Sequence, residues 1–175
     1  MALTPEQIER VLYLAEDEWA NDSEDDATHW ADFDRVLAQM SAEELHIFVK
    51  KMNWDGGGAD RLNRVLAHPL CDRGTALMIY WRAQPRFYIR YETRERVRNE
   101  LGLGECALDD YDMLREIERR FQAGEFTTAN IAFDPANDEG SDQTSDGPNR
   151  RPRIDPRSVL PAVMFEAVRG RDGGT

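Results

Sequence analysis

Cysteine is scarce in this chain of 175 residues: Cys71 and Cys106 stand 35 positions apart, in neither C-x-x-C nor zinc-finger spacing. A disulfide scaffold is excluded, and both thiols read as reduced and buried. No run approaches the ~18 consecutive apolar residues of a membrane span. Met1-Ala2-Leu3-Thr4-Pro5-Glu6 opens without a basic stretch leading into an apolar one. The expectation is a cytoplasmic protein with no membrane among its partners. Lysine is nearly absent, Lys50 and Lys51 standing beside 20 arginines, and the net charge is −12 with a pI near 4.7. Phosphate neutralisation needs a dominant basic surface, so generic nucleic-acid binding is excluded. What is present, 41% hydrophobic residues and a mean hydropathy of −0.68, describes one soluble domain, or one domain with a tail.

The charge is unevenly spread. Residues 1–60 hold 15 acidic and 4 basic groups, 61–100 hold 4 and 9, 101–147 hold 12 and 3, and 148–175 hold 3 and 6. Two readings stay open: acidic flanks that pair with the basic middle inside one fold, and an acidic face that steers a basic partner. Asp22, Glu24, Asp25, Asp26, Asp32 and Asp34 crowd one loop and the start of a helix. They are the candidate partner-binding residues.

Helical signals dominate. Thr4-Pro5-Glu6-Gln7 combines a hydroxyl N-cap, proline at the first helical position and a capping-box glutamine. Ile8, Val11, Leu12, Ala15 and Trp19 follow at helical spacing, which predicts a helix over 5–19. Trp30, Phe33, Val36, Leu37 and Met40 give a second amphipathic helix. Ser41-Ala42-Glu43-Glu44 is another capping box, opening a third helix through Met52. After Gly56-Gly57-Gly58 a short helix covers 60–67, and 75–83 is apolar nearly all round, which predicts the central helix. Two more helices are expected over 87–101 and 108–121, with Gly124 ending the last. The expected fold is all-α (mainly α), a compact multi-helix bundle with one short extended segment near 125–133. Residues 1–134 form the helical domain, 135–157 an acidic mobile linker, and 158–175 a short amphipathic helix and tail that dock back on the body.

Sites with chemistry are few. The triple glycine lacks the Gly-Lys-Ser/Thr of a phosphate loop, and neither register of the acidic run at Asp138, Glu139 and Asp142 gives a calcium loop. His29, His46 and His68 are scattered. His68-Pro69-Leu70-Cys71-Asp72 gathers three metal-ligand types in five residues, but Asp72 is better explained as a helix cap, so no metal and no cofactor are expected. Arg82, Arg86, Arg90, Arg94 and Arg98 recur every four residues. On one helix they form a stripe, either a solvated face or a site for an acidic partner.

One pattern resembles a known family: Asn53-Trp54-Asp55-x-Gly57, then His68-Pro69-x-Cys71-Asp72-x-Gly74-Thr75-Ala76-Leu77, then Tyr80-Trp81-x-Ala83-x-Pro85 and a downstream Phe133-Asp134-Pro135. It is similar to a family of small bacterial proteins carrying a domain of unknown function, over roughly Ser41 to Pro135. The resemblance implies an immunity role by analogy, because such families often sit beside secreted polymorphic toxins. The residues themselves read as a packed junction: Asp72 caps, Gly74 permits close approach of a neighbouring backbone, Thr75 is small, and Trp54 and Trp81 supply apolar surface. Trp54, Leu66, Cys71, Ala76, Leu77, Tyr80 and Trp81 are expected to be buried together. The functional expectation is a non-enzymatic, immunity-type protein that neutralises a cognate bacterial toxin through its acidic surface. The alternative is a small-molecule enzyme or ligand-binding domain near the His68–Asp72 turn, with His68, Cys71, Asp72 and Asp55 as its groups.

Overall fold

The computed structural model describes residues 3–16, 26–54, 58–101, 105–145 and 154–171. These hold helices α1 (Pro5–Ala15), α2 (Asp26–Leu37), α3 (Ala42–Lys51), α4 (Ala59–Ala67), α5 (Arg73–Arg82), α6 (Pro85–Tyr88), α7 (Arg94–Leu101) and α8 (Glu105–Ala123). The fold is mainly α, and no strand longer than a single bridge forms among the described residues.

Both capping boxes form. Gln7 N–H donates to Thr4 Oγ1 at 3.3 Å while Thr4 N–H donates to Gln7 Oε1 at 2.9 Å, and Ser41 and Glu44 repeat the exchange. The second box is also a tertiary joint. Glu44 is buried and accepts Gln7 Nε2 at 3.1 Å and Arg10 Nε at 3.0 Å, so one carboxylate caps α3 and fastens α1 across it. The described part of the first helix stops at Ala15; residues 17–25, including Trp19 of the expected continuation, lie outside the described residues.

Helix α5 runs through the core with Gly74 to Trp81 all buried. Tyr80 donates to Glu118 Oε1 on α8 at 2.7 Å, and Trp81 Nε1 donates to the Met164 carbonyl at 2.8 Å. Of the expected junction, Leu66, Cys71, Ala76, Leu77, Tyr80 and Trp81 are buried, while Trp54 is only half-buried against the same core.

The helix expected over 87–101 is broken. α6 closes at Tyr88 and α7 starts at Arg94, because Tyr91 turns into the core with its N–H on the Tyr88 carbonyl, and Thr93 Oγ1 then accepts from Arg96 N–H. The arginine stripe is thereby dispersed. Arg82 reaches Asp138, Arg90 lies over Phe87 and Tyr91, and Arg94 pairs with Asp112.

The segment 135–145, expected to be mobile, is folded onto the helices. Pro135 is buried at the start of a 3-10 turn, and Asp138 is buried against the Arg82 guanidinium at 2.9 and 2.8 Å. A polar composition conceals this anchor, since its partner stands 56 positions earlier. Residues 146–153 lie outside the described residues. The C-terminal helix is replaced by two 3-10 turns, Pro156–Ser158 and Ala162–Phe165, because Pro161 falls inside it, removing one amide donor and clashing with the preceding turn. They dock through Leu160, Met164 and Val168. Val168 also supplies the partner that the extended segment lacked: Phe133 and Val168 exchange backbone hydrogen bonds of 2.8 and 2.9 Å.

Candidate functional site

Of the motif residues, His68, Cys71, Asp72, Gly74 and Thr75 gather at the N-terminal end of α5, whereas Trp81 lies near its C-terminal end and Trp54 lines the cleft there. Asp72 is fully buried; Oδ1 accepts Gly74 N–H at 2.9 Å and Ile131 N–H at 3.3 Å, and Oδ2 accepts Asn130 N–H at 2.7 Å. One carboxylate therefore caps α5 and holds the extended segment beside it. Contact is so close that a Cβ on Gly74 would lie 2.1 Å from the Ile131 carbonyl oxygen. Cys71 is buried, and burial pushes its thiol up to about 12, far from a nucleophilic thiolate. His68 Nδ1 accepts Leu70 N–H at 3.1 Å, and burial lowers the pKa of its ring. Thr75 Oγ1 lies 3.1 Å from His46 Nδ1, and burial together with Lys50 and Arg82 pushes that imidazole down to about 4. Among the described residues, no three His, Cys, Asp or Glu side chains come together as a metal site.

The acidic candidates are divided. Asp22, Glu24, Asp25 and Asp55 lie outside the described residues, and Asp26 is placed only as the first residue of α2. Asp32 pairs with Arg35 at 2.9 Å, and Asp34 pairs with Arg64. These two carboxylates already have cations. By contrast, Glu6, Glu9 and Glu16 beside or within α1, and Glu43 in the first turn of α3, are exposed and make no ion pair among the described residues.

The C-terminal end of α5 opens on a cleft of about 310 Å³ that sequence reasoning did not anticipate. Gly58 and Leu62 at the start of α4, Arg82 and Ala83 at the end of α5, and Asp110 of α8 line it. Trp54, Phe87 and Tyr88 supply aromatic surface. Trp54 is fixed by its Nε1 donating to the Val49 carbonyl at 3.2 Å. At the rim, Gln84 has φ 56° and ψ 57°, a left-handed conformation in a residue that precedes a proline. The two charges in the cleft differ in their state. Arg82 is satisfied by Asp138, by Glu139 at 3.2 Å and by the Lys50 carbonyl at 3.2 Å. Asp110 has no cation among the described residues, its neighbour being the Tyr88 hydroxyl at 3.5 Å, the long limit of a hydrogen bond. Burial raises the pKa of the Asp110 carboxyl, opposed by the Tyr88 contact and reinforced by Asp109; burial and Asp110 push Tyr88 up to about 12. The sequence signals here are Trp54, Arg82, Ala83 and the aromatic pair Phe87-Tyr88, none of which discloses the α8 carboxylate that completes the cleft.

Among curated proteins and among solved structures, nothing matches the chain. A family model does: residues 40–122, which include both ends of α5 and every residue lining the cleft but neither the 126–133 segment nor the C-terminal turns, match the family described as domain of unknown function (DUF4274).

Proposed function

We propose that this protein is an immunity-type binding protein of the cytoplasm, which neutralises a basic protein toxin by non-covalent capture on acidic surface from its first sixty residues. The observation that supports this reading is a set of exposed carboxylates in the first sixty residues. Asp32 and Asp34 are already paired with Arg35 and Arg64, whereas Glu6, Glu9, Glu16 and Glu43 make no ion pair among the described residues. Packing α1 on α3 sets these four on adjoining elements. Unneutralised carboxylates on one surface accelerate the encounter with a basic cleft and make it salt-dependent. Chemistry at the His68–Asp72 turn finds less support, because Asp72 is engaged by three backbone donors, Cys71 is a buried neutral thiol, and His68 closes its own turn.

The test is co-expression with toxin-like reading frames encoded beside the gene. Protection of the cell is expected from the parent. Replacing Glu6, Glu9, Glu16 and Glu43 together by glutamine is expected to slow association at least tenfold at low salt and to weaken protection, with little change in melting temperature. A parent that gives no protection, or a folded variant that protects and associates as fast as the parent at every salt concentration, refutes the reading.

A further inference from the structure

We propose that the cleft at the C-terminal end of α5 receives the side chain of a single arginine from a protein partner, its guanidinium held between the Trp54 ring and the Asp110 carboxylate. This extends the reading of a basic partner by naming where one of its cations is anchored. The cleft, of about 310 Å³, is of the size of one long side chain rather than of a peptide strand. Its apolar wall, Leu62 with Tyr88, suits an aliphatic stem. Trp54 is the aromatic face best suited to a cation, and among the described residues no cation lies over it. Elsewhere the protein fills such faces itself: Arg64 lies 4.3 Å over Trp30 and Arg120 4.1 Å over Phe126.

Charge decides the sign of the occupant. Arg82 also lines the cleft, but Asp138 and Glu139 neutralise it, and Glu139 in turn pairs with Lys50 at 2.7 Å. That group of four sums to zero. Asp110 stands outside it with no cation among the described residues, beside a second carboxylate at Asp109, so the uncompensated charge of the described cleft is negative. A planar guanidinium can stack on an indole while donating to a carboxylate, which an ammonium does less well.

The probe is the tripeptide acetyl-Gly-Arg-Gly-amide, titrated into the isotopically labelled full chain. Its controls carry citrulline or glutamate in place of arginine. Saturable shifts of the Trp54 indole N–H and of the Tyr88 and Asp110 amides are expected with millimolar affinity. Binding is expected to weaken at least tenfold with the citrulline peptide or in Asp110→Asn, and several-fold in Trp54→Leu, each variant being first shown to melt cooperatively. No saturable shift at these groups, equal binding of the citrulline peptide, undiminished binding by folded Asp110→Asn, or preference for the glutamate peptide overturns the proposal. So do shifts confined to the acidic face of α1. Because free tripeptides are used, the cleft can fail while toxin neutralisation succeeds, and the reverse outcome is equally visible.

Discussion

The two ends of α5 are built on opposite principles. At its N-terminal end polar groups are engaged and packing is close: Asp72 accepts three backbone donors, Thr75 meets His46, and Gly74 lies against the backbone of Ile131. At its C-terminal end the chain opens into a cleft, holds Gln84 left-handed before Pro85, and leaves Asp110 without a cation among the described residues. The His68-to-Leu77 block of the motif thus marks the place where packing is tightest, which is a statement about folding. The other end, where Trp54 and the Tyr80-to-Pro85 part of the same pattern lie, keeps unspent interactions, and that is where a partner can still gain something.

The contrast breaks first, and most visibly, at Gly74. Gly74→Ala places a methyl group 2.1 Å from the Ile131 carbonyl oxygen, so the extended segment has to withdraw, and with it the Asn130 and Ile131 amides that Asp72 receives. The expected cost is upwards of about 3 kcal/mol, from overpacking combined with lost bonds to a buried carboxylate. Urea denaturation measures it. A loss below about 1 kcal/mol would mean that the junction yields easily and that the two ends do not differ in tightness.

A smaller effect sharpens the comparison at the same N-terminal end, where Thr75 meets His46 of α3. His46 sits beside Thr75 and senses Lys50, Arg82, Asp72 and Asp138, and its folded-state pKa is about 4 against an ordinary value of 6.5. The unfolded chain therefore binds a proton between these values that the folded chain refuses. Stability is full above about pH 6.5 and falls as the pH is lowered toward 4, by an amount on the order of 2–3 kcal/mol for a shift of this size. His46→Gln should flatten that part of the profile relative to the parent. If the two profiles run parallel between pH 6.5 and 4, the imidazole is not held neutral by the core.

What could be read from the sequence was local or periodic. The boxes at Thr4–Gln7 and Ser41–Glu44 are complete within four residues, and the apolar spacing of α1 to α5 and α8 needs only the helical repeat. The Asp72 cap was legible for the same reason, although its second duty toward Asn130 was not. Misreadings arose where a distant partner decides. Asp138 looks like linker until Arg82 is brought to it, and the arginine stripe looks continuous until the core claims Tyr91. Val159, Leu160, Val163, Met164 and Phe165 have helical spacing, but Pro161 stands among them, and two 3-10 turns form in place of one helix. The cleft was invisible because its lining comes from five separate stretches of chain, with no spacing to connect Trp54 to Asp110.

The smallest effect belongs to Gln84. A non-glycine residue at φ 56° and ψ 57° costs roughly 1 kcal/mol, and the following proline ring disfavours that ψ further. Glycine removes the steric penalty but adds freedom to the unfolded chain, which returns part of the gain. The net expectation for Gln84→Gly is a stabilisation of up to about 1 kcal/mol, or a melting temperature raised by roughly 1–4 °C for a chain of this size. Gln84→Ala keeps the penalty and should leave the melting temperature within about 1 °C of the parent. The pair of variants separates backbone from side chain. Were Gln84→Gly to melt lower than the parent while Gln84→Ala did not, the left-handed turn would be a rigidifying element, and the C-terminal end of α5 would be as firmly built as the N-terminal one.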